Sequence, residues 1–286
     1  MTTPKWLEET AFGGARLSFE VSRVLHHERT AQHRLDLIEN PVFGKVLMLD
    51  GATQVTSADE FIYHEMMAHV PLIAHGAARD VLIVGGGDCG LAEEVLKHTS
   101  VERLLQVEID ASVVAFAKEH FSEFNAAAFT DPRLTIEIAD GAAFVAHSDR
   151  RFDVILIDST DPVGPGAVLF TEAFYGNVRR CLKPGGIVVT QSGVPFVQRT
   201  EFATAMRNLA RAFPIATCYV VAVPTYYGGH MALGWGSTKH DPREAAVSDL
   251  AKRAAGLATR YYTPEVHAAA FALPRYIADA RDNAVG

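Results

Sequence analysis

Cysteine is scarce in this chain, and the few that occur form no metal or disulfide pattern. Cys89, Cys181 and Cys218 are the three cysteines among 286 residues. No CxxC or Cys/His spacing suggests zinc. Dispersed thiols in odd number are typical of a reducing compartment. We therefore expect a cytoplasmic protein without a metal site.

The chain also has no excess of basic over acidic residues and no long apolar run. Asp and Glu number 34 against 26 Lys and Arg, which gives a formal net charge of −8. An acidic surface disfavours nucleic acid, because phosphate binding needs clustered Lys and Arg. Apolar runs such as Val81–Val84 are far too short to span a bilayer, and residues 1–9 show no signal-peptide pattern. We expect no nucleic acid or membrane partner, whereas a cationic substrate is compatible with the charge.

The pattern of elements divides the chain into a small domain, residues 1–58, and a large domain, residues 59–286. Short strands with turns are predicted in the first part at Ser18–Leu25, His33–Glu39 and Lys45–Leu49. Asp50–Gly51 is a hairpin signal. The pattern therefore predicts that the first part is a small N-terminal β domain.

Strands and helices alternate in the second part. Short apolar strands are predicted at Val81–Val84, Leu104–Ile109, Leu134–Ile138, Val154–Asp158, Ile187–Gln191 and Tyr219–Val223. Such strands suit a parallel sheet covered on both faces. Ser57 and Glu60 match a capping box that predicts a helix, and the run from Lys183 to Gly186 should stop a crossover helix. The prediction is an α/β fold with a mainly parallel, Rossmann-like sheet.

Three consecutive strand ends carry groups that suit a nucleoside. Gly85, Gly87 and Gly90 fit GxGxxG after the first strand, and glycines allow close approach of backbone to a ligand. Glu108 ends the next strand, where a carboxylate can accept from both ribose hydroxyls. Asp140–Gly141 ends the third, where Asp140 could accept from an adenine amino group. Together they favour a nucleoside site over a purely structural turn.

Asp88 helps to choose the ligand. It opens a helix, where free N–H groups normally welcome an anion. A fixed carboxylate there repels a pyrophosphate or the carboxylate of S-adenosylmethionine, which disfavours an NAD enzyme. It would attract the ammonium of decarboxylated S-adenosylmethionine. Taken alone, Asp88 could also serve only as a helix cap.

An acidic loop, Asp158–Pro165, follows the fourth strand. Asp161 and Asp88 suit the charge of a diamine, and Asp158 suits a general base that frees one nitrogen to attack the aminopropyl carbon. The alternative is an Asx-turn loop with aspartates at turn positions. The combination with Asp88 favours the acidic site.

These residues resemble the spermidine synthases of the bacterial type. The resemblance rests on ordered motifs across nearly the whole chain: residues 59–66, 85–88, 107–110, 158–162 and 224–229. It implies a Rossmann-like methyltransferase-type domain behind the small β domain, and a homodimer or homotetramer. It also implies transfer of an aminopropyl group from decarboxylated S-adenosylmethionine, as co-substrate, to putrescine, with 5′-methylthioadenosine as by-product and no prosthetic group.

The resemblance assigns site residues as well. Asp158 would be the proton acceptor. The amine channel would be lined by Tyr63, His64, Asp88, Ser159, Thr160, Asp161, Gln191 and Tyr226. The nucleoside would be held by His33, Gly85, Gly87, Asp88, Glu108, Asp140, Gly141 and Pro165. The family usually has Gln in place of His33 and Gly in place of Cys89, and the loop from Asp158 to about Phe170 would be a lid.

Other functions remain open at this point. The acceptor could be cadaverine, agmatine or spermidine rather than putrescine. A small-molecule methyltransferase is disfavoured by the acidic set. A non-catalytic polyamine sensor would bind the same ligands without turnover.

Overall fold

A computed structural model describes residues 5–9, 14–29, 34–161 and 164–285. Within the described residues, the N-terminal part contains β1 (Trp6–Glu9), β2 (Leu17–Glu20), β3 (Arg23–Arg29), β4 (Arg34–Asn40), β5 (Gly44–Leu49) and β6 (Ala52–Thr56). β1 and β2 form a hairpin, and β3 to β6 form an antiparallel sheet in sequential order. The division of the chain at residues 58 and 59 stays a prediction.

Two predictions for this part have different outcomes. The hairpin signal is confirmed, because Asp50 (φ 52°) and Gly51 (φ 84°) form the left-handed turn between β5 and β6. The single strand Ser18–Leu25 was wrong. The backbone changes partner there: Val21 N–H donates to Lys5, whereas Ser22 N–H donates to Glu39. β2 and β3 therefore belong to different sheets.

The rest of the chain is built on a seven-stranded sheet. Its strands are β7 (Asp80–Gly85), β8 (Arg103–Glu108), β9 (Leu134–Ile138), β10 (Phe152–Asp158), β11 (Leu182–Gln191), β12 (Ile215–Val221) and β13 (Met231–Ser237). The order is β12-β13-β11-β10-β7-β8-β9. β7 to β11 are parallel, and β12 and β13 form an antiparallel edge. The predicted Rossmann-like fold is confirmed, and the strand order reverses between β7 and β10, where such folds bind ligands.

Helices cover both faces of the large sheet. They are α1 (Glu60–His75), α2 (Gly90–Leu96), α3 (Ala111–His120), α4 (Ser122–Asn125), α5 (Gly141–His147), α6 (Glu172–Arg180), α7 (Arg199–Ala212), α8 (Val247–Ala254), α9 (Pro264–Ala270) and α10 (Arg275–Val285). One apolar core lies under α1, α2, α8 and α9, and the other under α5, α6, α7 and α10. Over the described ranges, no helix combines the length and apolarity needed to cross a bilayer.

The antiparallel sheet of β3 to β6 packs against α3. Leu35 and Leu37 of β4 share a buried cluster with Phe116 and Phe121. Each such side chain contributes roughly 1.5–3 kcal/mol when fully buried.

Two predictions about helix ends were wrong. α1 begins at Glu60, so Glu60 is its first residue and not its third. Ser57 Oγ instead accepts from Lys45 N–H at 2.9 Å, because Ser57 lies at the end of the small sheet. The run from Lys183 to Gly186 does not stop a helix. α6 already ends at Arg180, and this run lies within β11.

Candidate active site

The glycine-rich loop after β7 is fastened to the end of β10. Gly86 N–H donates to the carbonyl oxygen of Asp158 at 2.9 Å. A Cβ on Gly85 (φ 87°) would lie 2.0 Å from the same oxygen, so only glycine fits there. Gln106 of β8 donates from Nε2 to the carbonyl oxygens of Gly85 at 3.1 Å and Gly86 at 2.5 Å. The loop and the end of β10 are thus held together.

Glu108 lies beside this loop at the end of β8. It is 8% exposed, and its Oε1 accepts from Asp110 N–H at 2.9 Å. A Cβ on Gly87 would lie 3.2 Å from Glu108 Oε2. The structure therefore brings Glu108 against the glycine loop, as the sequence predicts.

Asp140 and Gly141 lie at the next strand end, after β9. Asp140 Oδ1 accepts from Ala142 N–H at 2.8 Å and Ala143 N–H at 3.1 Å, so Asp140 caps α5. A Cβ on Gly141 would lie 2.4 Å from Val84 Cγ1. The absence of a side chain at Gly141 lets this turn pack on β7, next to the glycine loop.

Asp88 faces two ways. Its Oδ1 accepts from Gly90 N–H at 2.8 Å, and its Oδ2 lies 3.5 Å from Nε2 of His64. Asn125 fixes the backbone of Asp88 by donating from Nδ2 to its carbonyl oxygen at 2.9 Å. The hydrogen bond from Gly90, the first residue of α2, therefore accounts for one carboxylate oxygen, and the other faces His64.

Cys89 has φ 62°, a conformation that favours glycine, and its side chain is fully buried. The side chain belongs to the core cluster that contains Leu91 and Met66. Burial, followed by the charge of Asp88, raises the pKa of the thiol to about 12. A thiol in this state is no nucleophile at neutral pH.

Asp158 is the last residue of β10, and its side chain is held by Tyr63 of α1. The hydroxyl of Tyr63 donates to Asp158 Oδ1 at 2.8 Å. Burial and then the charge of Asp88 raise the pKa of Asp158 from 3.8 to about 6, against the lowering effects of His64 and the Tyr63 hydrogen bond. A carboxyl group with a pKa near the working pH can take up and release a proton.

His64 lies between Asp88 and Glu60. Its Nδ1 is 2.8 Å from Glu60 Oε2, and its ring packs on Gly90, where a Cβ would lie 2.4 Å from His64 Cε1. The third glycine of the loop is therefore required by His64. Burial lowers the pKa of His64, but the charge of Asp88 and hydrogen bonds with Asp88 and Glu60 prevail and raise it well above 6.5.

Asp161 and Tyr226 complete the cluster. Gln191 of β11 donates from Nε2 to Asp161 Oδ1 at 3.0 Å. The Tyr226 ring meets the Tyr63 ring edge-on, with 6.0 Å between centroids. Burial raises the pKa of Tyr226 well above 10, and the charges of Asp158, Asp59, Asp88 and Asp161 add to this effect. The acidic side chains therefore converge on one place.

Asp59 holds the loop that carries Tyr226. Its Oδ2 accepts from Thr225 N–H at 2.9 Å and also from the Thr225 hydroxyl, and its Oδ1 accepts from Thr56 Oγ1 at 2.6 Å. The hydroxyl of Tyr226 donates to the carbonyl oxygen of Gln54 at 2.5 Å. The end of the small sheet thus forms one wall of the cluster.

Some predicted residues are not joined to this cluster by a described contact. Ser159 Oγ is buried without a hydrogen-bond partner, and Thr160 is exposed near Gly166. Pro165 belongs to a 3-10 helix, Gly164–Phe170, and its side chain lies outside the description. His33 also lies outside the described residues. The lid therefore stays a prediction.

Sequence reasoning missed several supporting residues. They are Asp59, Glu60, Gln106 and Asn125. The spacing of Glu60 and His64, four residues apart on a helix, was the one usable signal. The others act across large distances in sequence.

A glycine-rich loop and carboxylates at the switch point of a mostly parallel sheet define the ligand-binding edge of a Rossmann-like protein. Comparison with protein families matches residues 60–246 to the spermine/spermidine synthase domain and residues 5–57 to the spermidine synthase tetramerisation domain. The chain therefore belongs to the spermine/spermidine synthase family, and it is an aminopropyltransferase of polyamine biosynthesis.

Curated relatives and solved structures agree with this assignment. The polyamine aminopropyltransferase of Ruegeria sp. (strain TM1040) is 51% identical over 279 residues, which cover 97% of this chain and 98% of the relative. Polyamine aminopropyltransferase 1 of Pseudomonas aeruginosa is 50% identical and covers 96% of both chains. A crystal structure of spermidine synthase in complex with the transition state analogue AdoDATO superposes with a TM-score of 0.92 at 37% identity, covering 99% of this chain and 98% of that one. The spermidine synthase of Thermotoga maritima gives 0.89 at 36% identity, covering 99% and 96%.

Proposed function

We propose that this enzyme transfers the aminopropyl group of decarboxylated S-adenosylmethionine to putrescine, giving spermidine and 5′-methylthioadenosine. The observation that carries the proposal is the position of two carboxyl groups at the glycine loop: Asp158, whose carbonyl oxygen accepts from Gly86 N–H at 2.9 Å, and Asp88, whose Oδ2 lies 3.5 Å from His64 Nε2. Carboxylates favour a polycation and repel the carboxylate of ordinary S-adenosylmethionine. The solved relative that holds a transition state analogue supports this substrate class.

The two substrates would meet at the end of β10. Gly85, Gly87, Glu108, Asp140, Gly141, Pro165 and His33 are proposed to hold the nucleoside. Asp88 would bind the ammonium of the aminopropyl tail, and Asp161, fixed by Gln191, the distal ammonium of the diamine. Tyr63, His64, Ser159, Thr160 and Tyr226 would form the walls between them.

Asp158 is proposed as the proton acceptor. The amine nitrogen attacks the aminopropyl carbon bound to sulfur, the C–S bond breaks, and its electron pair stays on sulfur as a neutral thioether. The nitrogen gives its proton to Asp158, whose pKa of about 6 leaves most of the carboxyl ionised at neutral pH. Positioning supplies about 7–11 kcal/mol of the barrier reduction at best.

Substitution Asp158→Asn tests the assignment. We expect turnover to fall by roughly 10²–10⁴-fold, the range of general-base catalysis, while 5′-methylthioadenosine still binds by calorimetry. Glu172→Gln is the control, because Glu172 is an exposed residue of α6 and its loss of charge should leave turnover unchanged. Near-normal turnover of Asp158→Asn would remove Asp158 from the mechanism.

The acceptor and the donor are tested separately. Incubation with decarboxylated or ordinary S-adenosylmethionine, followed by detection of methylthioadenosine, separates aminopropyl transfer from methyl transfer. Competition among putrescine, cadaverine, agmatine and spermidine identifies the acceptor. Binding of these ligands without any product would favour a polyamine sensor.

The assembly and the location are part of the proposal. The match to a tetramerisation domain supports a homodimer or homotetramer, which light scattering after gel filtration would distinguish. Cys89, Cys181 and Cys218 are free and buried, which suits the cytoplasm.

A further inference from the structure

Glu60 lies directly behind His64 on α1. The two residues are four positions apart, and Glu60 Oε2 is 2.8 Å from His64 Nδ1. Their side chains are only 5% and 3% exposed. An ionised carboxylate can only accept a hydrogen bond. An ionised Glu60 therefore requires a proton on Nδ1, and water has little access to either group.

The opposite nitrogen of His64 faces Asp88. Nε2 lies 3.5 Å from Asp88 Oδ2, and the close packing of the ring on Gly90 fixes this orientation. A proton on Nε2 makes the approach attractive. Without that proton, a lone pair of the ring would face a carboxylate oxygen.

We propose that Glu60 is a positioning residue that keeps both ring nitrogens of His64 protonated, so that His64 fixes the carboxylate of Asp88. The inference rests on the proposed function, in which Asp88 binds the ammonium of the donor. His64 Nε2–H and Gly90 N–H would then hold the two oxygens of Asp88. A carboxylate held in this way is oriented before the donor binds.

The groups that face His64 support a stable positive charge. They are Glu60 and Tyr63 of α1, Asp88 of the glycine loop, Asp158 at the end of β10, and the uncharged Phe124 of α4. Arg260 approaches Glu60 Oε1 at 4.0 Å, but its side chain is 63% exposed and lies over the ring of Phe61. Screening by water weakens that competing charge, so the buried carboxylates dominate around the ring.

The protonation state of His64 can be read directly by NMR of protein with ¹⁵N-labelled histidine. At about pH 7.5, well above the ordinary pKa of histidine, both ring nitrogens of His64 should be protonated in the unliganded enzyme. Glu60→Gln removes the charge but keeps the shape. It should move the titration midpoint of His64 down by about 1–3 pH units. A neutral ring in the wild type, or an unchanged midpoint in the variant, would overturn the inference.

Kinetics supply a second readout. For Glu60→Gln we expect kcat/KM for the donor to fall about tenfold relative to wild type as the pH rises through the lowered pKa, with little change at lower pH. In a His64→Gln background, Glu60→Gln should have no further effect, because Glu60 acts through His64. A loss of equal size at every pH, or additive losses in the double variant, would contradict the positioning role.

Glu65→Gln is the matched control. Glu65 is a buried carboxylate of the same helix that accepts backbone N–H groups of Arg260, Tyr261 and Tyr262. Replacing this carboxylate by an amide should lower the thermal stability of the enzyme without changing the pH dependence of kcat/KM. If wild-type enzyme transferred no aminopropyl group, the proposed function would fail, whereas the NMR titration would still decide the role of Glu60.

Discussion

Replacing Tyr63 with phenylalanine removes one hydroxyl from the site and leaves the ring. That hydroxyl is the donor to Asp158 at 2.8 Å. It stabilises the ionised form of the carboxyl group and so lowers the pKa of Asp158. The substitution should therefore raise the pKa of Asp158 above about 6 and leave the edge-on contact with Tyr226 in place.

The size of the change follows from the kind of hydrogen bond. A hydrogen bond to a charged group contributes about 1.5–3 kcal/mol, and 1.36 kcal/mol corresponds to one pKa unit. The acid limb of kcat/KM should therefore move up by roughly 1–2 pH units. Near pH 6, where about half of the wild-type Asp158 carboxyl is ionised, activity should fall by about 5–50-fold, whereas well above the new pKa it should approach that of the wild type.

Asp88→Asn gives the opposite perturbation. The charge of Asp88 is the second largest cause of the raised pKa of Asp158, after burial. Its removal should move the acid limb to lower pH, and it should also raise KM for the donor. The assay is release of methylthioadenosine across pH, beside a ¹³C NMR titration of the Asp158 carboxyl in the free enzyme. If Tyr63→Phe and Asp88→Asn move the acid limb of kcat/KM in the same direction, or if neither moves it, the proposed control of the pKa of Asp158 is refuted.

Two further predictions concern packing and acid stability. Gly90→Ala should destabilise the protein by about 1–3 kcal/mol and raise KM for the donor, because the added Cβ would displace His64. Gly176→Ala is the control, because a Cβ there meets nothing within 4 Å, and it should change neither quantity. Equal effects of the two substitutions on chemical denaturation and on KM would contradict the role of Gly90. Burial lowers the pKa of His267 from 6.5 to about 4, so its contribution to stability is complete above pH 6.5 and falls by about 2 kcal/mol by pH 5. His267→Gln should remove that part of the pH dependence in chemical denaturation, and an unchanged slope would exclude His267 as its source.

The fold was predictable from the sequence where the signal is local. Apolar runs located all the parallel strands, and Asp50–Gly51 located a left-handed turn. Element ends were harder, because several interactions compete for the same residue. Ser57 is a residue type that often caps helices, yet its hydroxyl accepts a hydrogen bond from the backbone N–H of Lys45 instead.

The site was predictable to the extent that strand ends gather at one edge of a parallel sheet. That rule brought Asp88, Glu108 and Asp158 together without any tertiary information. It could not find the contact between Asp59 and Thr225, which are 166 residues apart in the sequence. Glu60 was interpreted as a capping residue, and its real partner is His64 on the same helix.

The hydrogen bond between Gly86 and Asp158 has a consequence for selectivity. It joins the glycine loop to the last residue of β10 through the backbone. In the proposed function the glycine loop holds the nucleoside and Asp158 takes the proton, so the distance between these two parts would be set by the fold. A donor with a tail one methylene longer or shorter would then misplace its ammonium relative to Asp88, and selectivity for tail length would follow from this backbone contact.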